Sequence, residues 1–151
     1  MKLKVLVGNG RKIGIFALPF LILGITLNIL YPEFFMVNDA SGVLFWISLC
    51  FLNIGIINWI WTVVLILTKI PRKLLITTGP YAIIKHPLYV GVALLVLPWV
   101  GFMFNTWLGV VLGIVIYIGS RIFSPEEEKV LSAVFGNEWV EYCKKVMLPW
   151  I

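Results

Sequence analysis

The sequence is short of charge: 13% of its 151 residues are Asp, Glu, Lys or Arg, against 61% hydrophobic, a balance that excludes a soluble globular domain. It is equally short of metal and redox ligands. One histidine, His86, and two well-separated cysteines, Cys50 and Cys143, offer no metal-ligand cluster and no disulfide framework, and both thiols read as reduced. The apolar runs contain no acidic residue to carry a coupling proton or cation, which argues against a transporter. No repeat, low-complexity tract or Rossmann glycine signature is present.

What is present is hydrophobic in long runs, and a membrane span takes roughly 20 mainly apolar residues. The chain therefore reads as an all-α integral membrane protein, one domain over 1–151 with no length left for a separate soluble domain. A first span is expected at 13–30, behind Lys2, Lys4, Arg11 and Lys12; no small-residue cleavage site follows it, so it reads as an uncleaved anchor. The second covers 43–70. The apolar stretch 88–123 is too long for one helix and divides into a tight hairpin turning near Asn105, with spans at 88–104 and 106–123. Pro98 leaves a re-entrant hairpin open as the alternative. Gly109 and Gly113 have the Gly-x-x-x-Gly spacing of closely packed helices, and Asn28, Asn53 and Asn58 are expected to hydrogen-bond between helices.

With four spans, all 12 Lys and Arg residues fall on one side, together with both chain ends. Short cytoplasmic loops collect such residues, so both termini are expected in the cytoplasm. The net charge of +5 is then accounted for by topology and anionic headgroups, without a nucleic-acid partner.

Polar residues gathered at one membrane surface are the natural carriers of chemistry in such a chain. In the run 79–87, Gly79-Pro80 can open a short helical turn, and Pro87 disfavours helical geometry at His86 while suiting the start of the next span. His86 should therefore lie at a break between two helical pieces, with backbone groups open to a ligand. Read locally, Tyr81, Lys85, His86 and Tyr89 are also what an ordinary membrane interface carries.

The acidic run has its own local reading. Ser124-Pro125-Glu126-Glu127 is a helix start, with Ser as N-cap and Pro at the first position, so amphipathic helices are expected over 125–147. Val130, Leu131, Val134 and Phe135 form an apolar stripe that stops at Gly136 as a C-terminal cap, and a second helix carries Trp139, Tyr142, Cys143 and Val146. The alternative is that one carboxylate turns to a cationic ligand near the bilayer, where its charge is poorly screened.

Together these runs resemble a known family. Gly79-Pro80-Tyr81-x-x-x-Lys85-His86-Pro87-x-Tyr89-x-Gly91 is similar to the first signature of the isoprenylcysteine carboxyl methyltransferases. Glu127-Glu128-x-x-Leu131-x-x-x-Phe135-Gly136-x-x-Trp139-x-x-Tyr142 resembles their C-terminal element, with Arg121 ahead of the paired acids. Two departures stand out: Lys85 where Arg is commoner, which gives up a planar bidentate donor, and Trp139 where Tyr is usual.

The resemblance implies a membrane methyltransferase using S-adenosylmethionine, held between the His-Pro segment and the C-terminal helices. Cofactor contacts would come from Tyr81, His86, Pro87, Tyr89, Gly91, Glu127 and Glu128; Arg121, or else Lys85, would position a carboxylate acceptor, and His86 or a glutamate would assist an amine acceptor. That acceptor would be lipid-like, the carboxylate of an isoprenylated cysteine or a similar amphiphile; a phospholipid amine is the alternative. A membrane reductase using a nicotinamide cofactor and a non-enzymatic membrane protein are the readings from other classes.

Overall fold

The computed structural model describes residues 9–38 and 42–148, which form helices and connecting turns. Helices α1 (Gly10–Leu30), α2 (Pro32–Phe35) and α3 (Val43–Lys69) come first, and a 3-10 turn, Ile70–Arg72, prolongs α3. Two short helices follow, α4 (Pro80–Ile83) and α5 (Pro87–Gly91); then come a π-helical turn, Val92–Val96, and α6 (Leu97–Met103). The chain closes with α7 (Leu108–Phe135) and α8 (Asn137–Lys145).

Three helices are long and apolar enough to cross a membrane: α1, α3 with its 3-10 extension, and α7. Side chains such as Ile15, Ile57 and Ile114 face outward, as expected where lipid is no less apolar than the interior and packing rather than water exclusion joins the helices. The first two expected spans fall within α1 and within α3 with its 3-10 extension. The apolar segment Pro87–Met103 is shorter, about 25 Å at the rise of an α-helix. Its flanks contact the chain at the start of α1 and beyond its end. At one end the Tyr89 ring lies beside Gly10; at the other, the Val37 N–H donates to the Asn105 carbonyl (3.2 Å) and the Trp107 N–H to the Phe35 carbonyl (2.9 Å).

Local chemistry explains the irregular course of this segment. Pro98 has no N–H and its ring crowds the carbonyl four residues back; the π turn immediately before it widens the helix there. After Met103 the chain turns through Asn105, at φ 55°, into α7. The spacing of Gly109 and Gly113 then has a direct use. A Cβ on Gly109 would lie 2.0 Å from the Leu97 carbonyl oxygen and one on Gly113 2.3 Å from that of Ala93, so only glycine admits this approach. Phe51 stacks on Trp99 at 4.2 Å and ties α3 to α6. Of the three asparagines, Asn28 accepts from Thr106 Oγ1 (2.7 Å), joining α1 to the turn, whereas Asn53 donates to Leu49 within its own helix (2.7 Å). The Asn58 amide packs against Gly91.

A further expectation is corrected. Ser124 does not cap a new helix: α7 runs through Ser124 and Pro125 as one helix of 28 residues, and Ser124 is buried. Packing across helices overrides the local capping signal. Asn9 Nδ2 donates to the Phe123 carbonyl (2.6 Å) just before the proline, and Lys12 pairs with Glu126 just after it. The apolar run of α7 ends at Phe123; residues 124–135 project beyond it and carry the acidic cluster. Only α8 is a separate C-terminal helix, and Gly136, at φ 52°, ends α7 where expected.

Candidate functional site

Gly79, at φ 65°, leads into the single turn of α4, after which Ile84 is extended. His86, at φ −124° and ψ 60°, is the break before Pro87 opens α5. This loop is held from the other end of the chain. Met147 and Leu148 N–H groups donate to the Ala82 and Ile83 carbonyls (3.2 and 2.8 Å), and the Tyr142 hydroxyl donates to the Tyr81 carbonyl (2.8 Å). Beneath α8, Trp139, Tyr142 and Val146 are buried and pack with Leu75, Leu131 and Phe135.

Between the loop and these helices lies a narrow cleft of about 630 Å³ counted to its open mouth. Tyr81, His86 and Tyr89 enter it from the first polar segment, Glu127 from the projecting end of α7, and Trp139 and Tyr142 from α8. The two polar segments, some forty residues apart in sequence, thus line one cleft.

The two acids of the site differ in their surroundings. Glu127 lines the cleft, with Tyr89 Oη donating to its Oε2 at 3.5 Å. Burial pushes its carboxyl above the usual range, partly offset by the nearby His86, the Asn9 main chain and Tyr89. Glu128 does not line the cleft. With the proton on Nε2, His86 donates to Glu128 Oε1 (3.2 Å), and Lys85 Nζ donates to the same oxygen (2.8 Å). The bond from His86 first, and the bond and charge of Lys85, hold the Glu128 carboxyl at about 2 against the opposing effect of burial. The Tyr81 and Tyr142 hydroxyls are pushed up, chiefly by burial.

The structure thus brings together Tyr81, His86, Tyr89 and Glu127, with Glu128 behind His86. Pro87 is fully buried beneath the break, and Gly91 faces Asn58 on α3; both shape the loop rather than line the cleft. Arg121 is exposed on α7 and also stands outside the cleft lining. Seven residues, two helical turns to within about 20°, separate it from Glu128, so the two share one side of α7.

Several lining residues were not named as site residues from the sequence: Leu75, Ile76, Leu131, Phe135, Trp139 and Tyr142. The last four carried a signal, their places in the C-terminal motif and their helical spacing, which also fits a helix lying on a membrane surface. Asn9 carried none.

A model of the isoprenylcysteine carboxyl methyltransferase (ICMT) family matches residues 40–133. That range runs from just before α3 to near the end of α7 and leaves α1 and α8 outside. No curated protein and no solved structure matches the chain.

Proposed function

The chain belongs to the isoprenylcysteine carboxyl methyltransferase family, and from that premise we propose that this membrane methyltransferase uses S-adenosylmethionine to methylate a lipid-like acceptor, the carboxylate of an isoprenylated cysteine or a similar amphiphile. The observation that carries the reading is the shared cleft, in which Tyr81, His86 and Tyr89 of one segment face Glu127 of the other.

The residues fit such a cofactor. Its charged sulfur and amino group call for negative or π-rich surroundings, and its adenine for flat apolar walls. Glu127 is the only acid lining the cleft among the described residues, and Tyr81, Tyr89, Trp139 and Tyr142 surround the same space; aromatic faces attract cations. S-adenosylmethionine, when bound, supplies a methyl group activated by its positive sulfur. The protein's own tasks are alignment and exclusion of water. Glu127 would accept hydrogen bonds from amino or ribose hydroxyl donors, and the aromatic residues would keep the cleft dry. His86, locked by Glu128, would hold its ring edge at a set angle within the cleft.

An α-carboxylate is already ionised at neutral pH, its pKa being about 3.5, so no base has to remove a proton from it. Arg121, exposed on the same side of α7 as Glu128, would position the acceptor carboxylate with its planar pair of donors. In the bilayer we place Pro87–Met103 as a fourth crossing, paired with α7. Both termini and the cleft then lie on the cytoplasmic side with the Lys and Arg residues.

Calorimetric titration of S-adenosylhomocysteine in detergent tests the cofactor: the wild type binds, and Glu127→Ala and His86→Ala do not. Incubating membranes with labelled cofactor and separate carboxylate and amine lipids tests the acceptor. Label appearing in amine products alone would sink the carboxylate assignment.

A further inference from the structure

Helix α1 lies outside the family match, yet its N-cap and first turn touch the site at several points, three of them within two residues of Pro125. The side-chain amide of Asn9 donates to the Phe123 carbonyl at 2.6 Å. Lys12 pairs with Glu126. The main chain of Asn9 lies near enough to Glu127 to favour its charged form. Gly10 lies against Tyr89, the residue whose hydroxyl meets the same Glu127: a Cβ at Gly10 would be 3.7 Å from Tyr89 Cε1.

Asparagine is among the best residues for capping its own helix. Asn9 stands at the N-cap of α1 without making a side-chain cap; its amide reaches across to α7 instead. The place it reaches is the weak step of α7. Pro125 contributes no N–H to the helical ladder, and long helices bend at proline. Beyond that step lie the residues that α7 sends into the cleft, Glu127, Leu131 and Phe135. A small change of angle at Pro125 moves all three relative to His86 and Tyr89, which are carried by a different segment.

We propose that Asn9 and Lys12 are positioning residues of the methyltransferase site, bracketing Pro125 so that α7 delivers Glu127 to the cleft. The inference rests on the proposed function above, because it takes cofactor affinity as the measure of where Glu127 stands. It makes α1 a working part of the site rather than an anchor alone.

The test compares wild type, Asn9→Ala, Lys12→Glu and the charge-swapped pair Lys12→Glu with Glu126→Lys. Each is titrated with S-adenosylhomocysteine and melted in the same detergent. Positioning predicts that Lys12→Glu and Asn9→Ala weaken affinity about five- to tenfold while the melting temperature barely moves, since an exposed ion pair contributes little to stability. It also predicts that the swapped pair regains most of the lost affinity. Wild-type affinity in both single variants would overturn the inference, as would losses that follow the melting temperature and are not restored by the swap. A folded wild type that binds no S-adenosylhomocysteine would instead overturn the cofactor reading, and this inference with it.

Discussion

Glu127 and Glu128 are adjacent on α7 and shifted in opposite directions: burial raises the carboxyl pKa of the first, and His86 with Lys85 lowers that of the second to about 2. One faces the cleft and the other braces the loop that forms its opposite wall. Their consequences should separate in experiment.

Glu127→Gln should weaken S-adenosylhomocysteine binding by at least about thirtyfold with little change in melting temperature, because a buried charge-assisted partner is removed from the ligand alone. Glu128→Gln should do the reverse in part. It releases Lys85 and His86, so the melting temperature falls and affinity drops only several-fold. Calorimetry and thermal unfolding on the same preparations check both.

Acidification should act in two stages. Glu128, whose folded value lies below the unfolded one, adds stability that is fully present above about 4.5 and is lost as pH falls towards about 2. Glu127 has the opposite sign: its raised value means that it takes up a proton at a higher pH than an ordinary glutamate, and cofactor affinity should fall there first. Affinity that holds down to the pH of acid unfolding would contradict this order. In Glu128→Gln the stability loss between pH 4.5 and 2 should be smaller than in wild type.

Gly109→Ala should cost about 1–3 kcal/mol or prevent folding, by overpacking against the Leu97 carbonyl. Gly14→Ala, with nothing within 4 Å of the added carbon, should leave the melting temperature unchanged or slightly higher. Unfolding in detergent, run side by side, checks the pair.

Tyr142→Phe removes the hydroxyl that donates to the Tyr81 carbonyl, a bond of about 1 kcal/mol. The expected result is a small loss of stability with a several-fold loss of cofactor affinity, since the wall carrying Tyr81 is no longer tied to α8. Limited proteolysis should cut Tyr142→Phe faster than wild type within 79–86.

The capping pattern at Ser124-Pro125 was legible and misleading. The local preferences favour a helix start there, yet α7 passes through, with Asn9 and Lys12 meeting it on either side of the proline. The same contacts explain why Asn9 was invisible as a site residue: its partner is 114 positions away. The paired acids were legible as site residues but not by role, since adjacent helical positions point about 100° apart and only packing decides which one meets the cleft.

By itself the sequence determined the membrane character, the first two spans, the turn near Asn105, the close contact at Gly109 and Gly113, and the helix break at His86. These follow from hydrophobic run length and from the backbone limits of proline and glycine, which act over a few residues whatever the rest of the chain does. Only the tertiary structure decided that the two polar segments share one cleft, that Glu128 is tied to Lys85 and His86 while Glu127 faces the cavity, and that α7 continues past Pro125. Each of these depends on which surfaces meet across distant parts of the chain, and no local preference encodes that meeting.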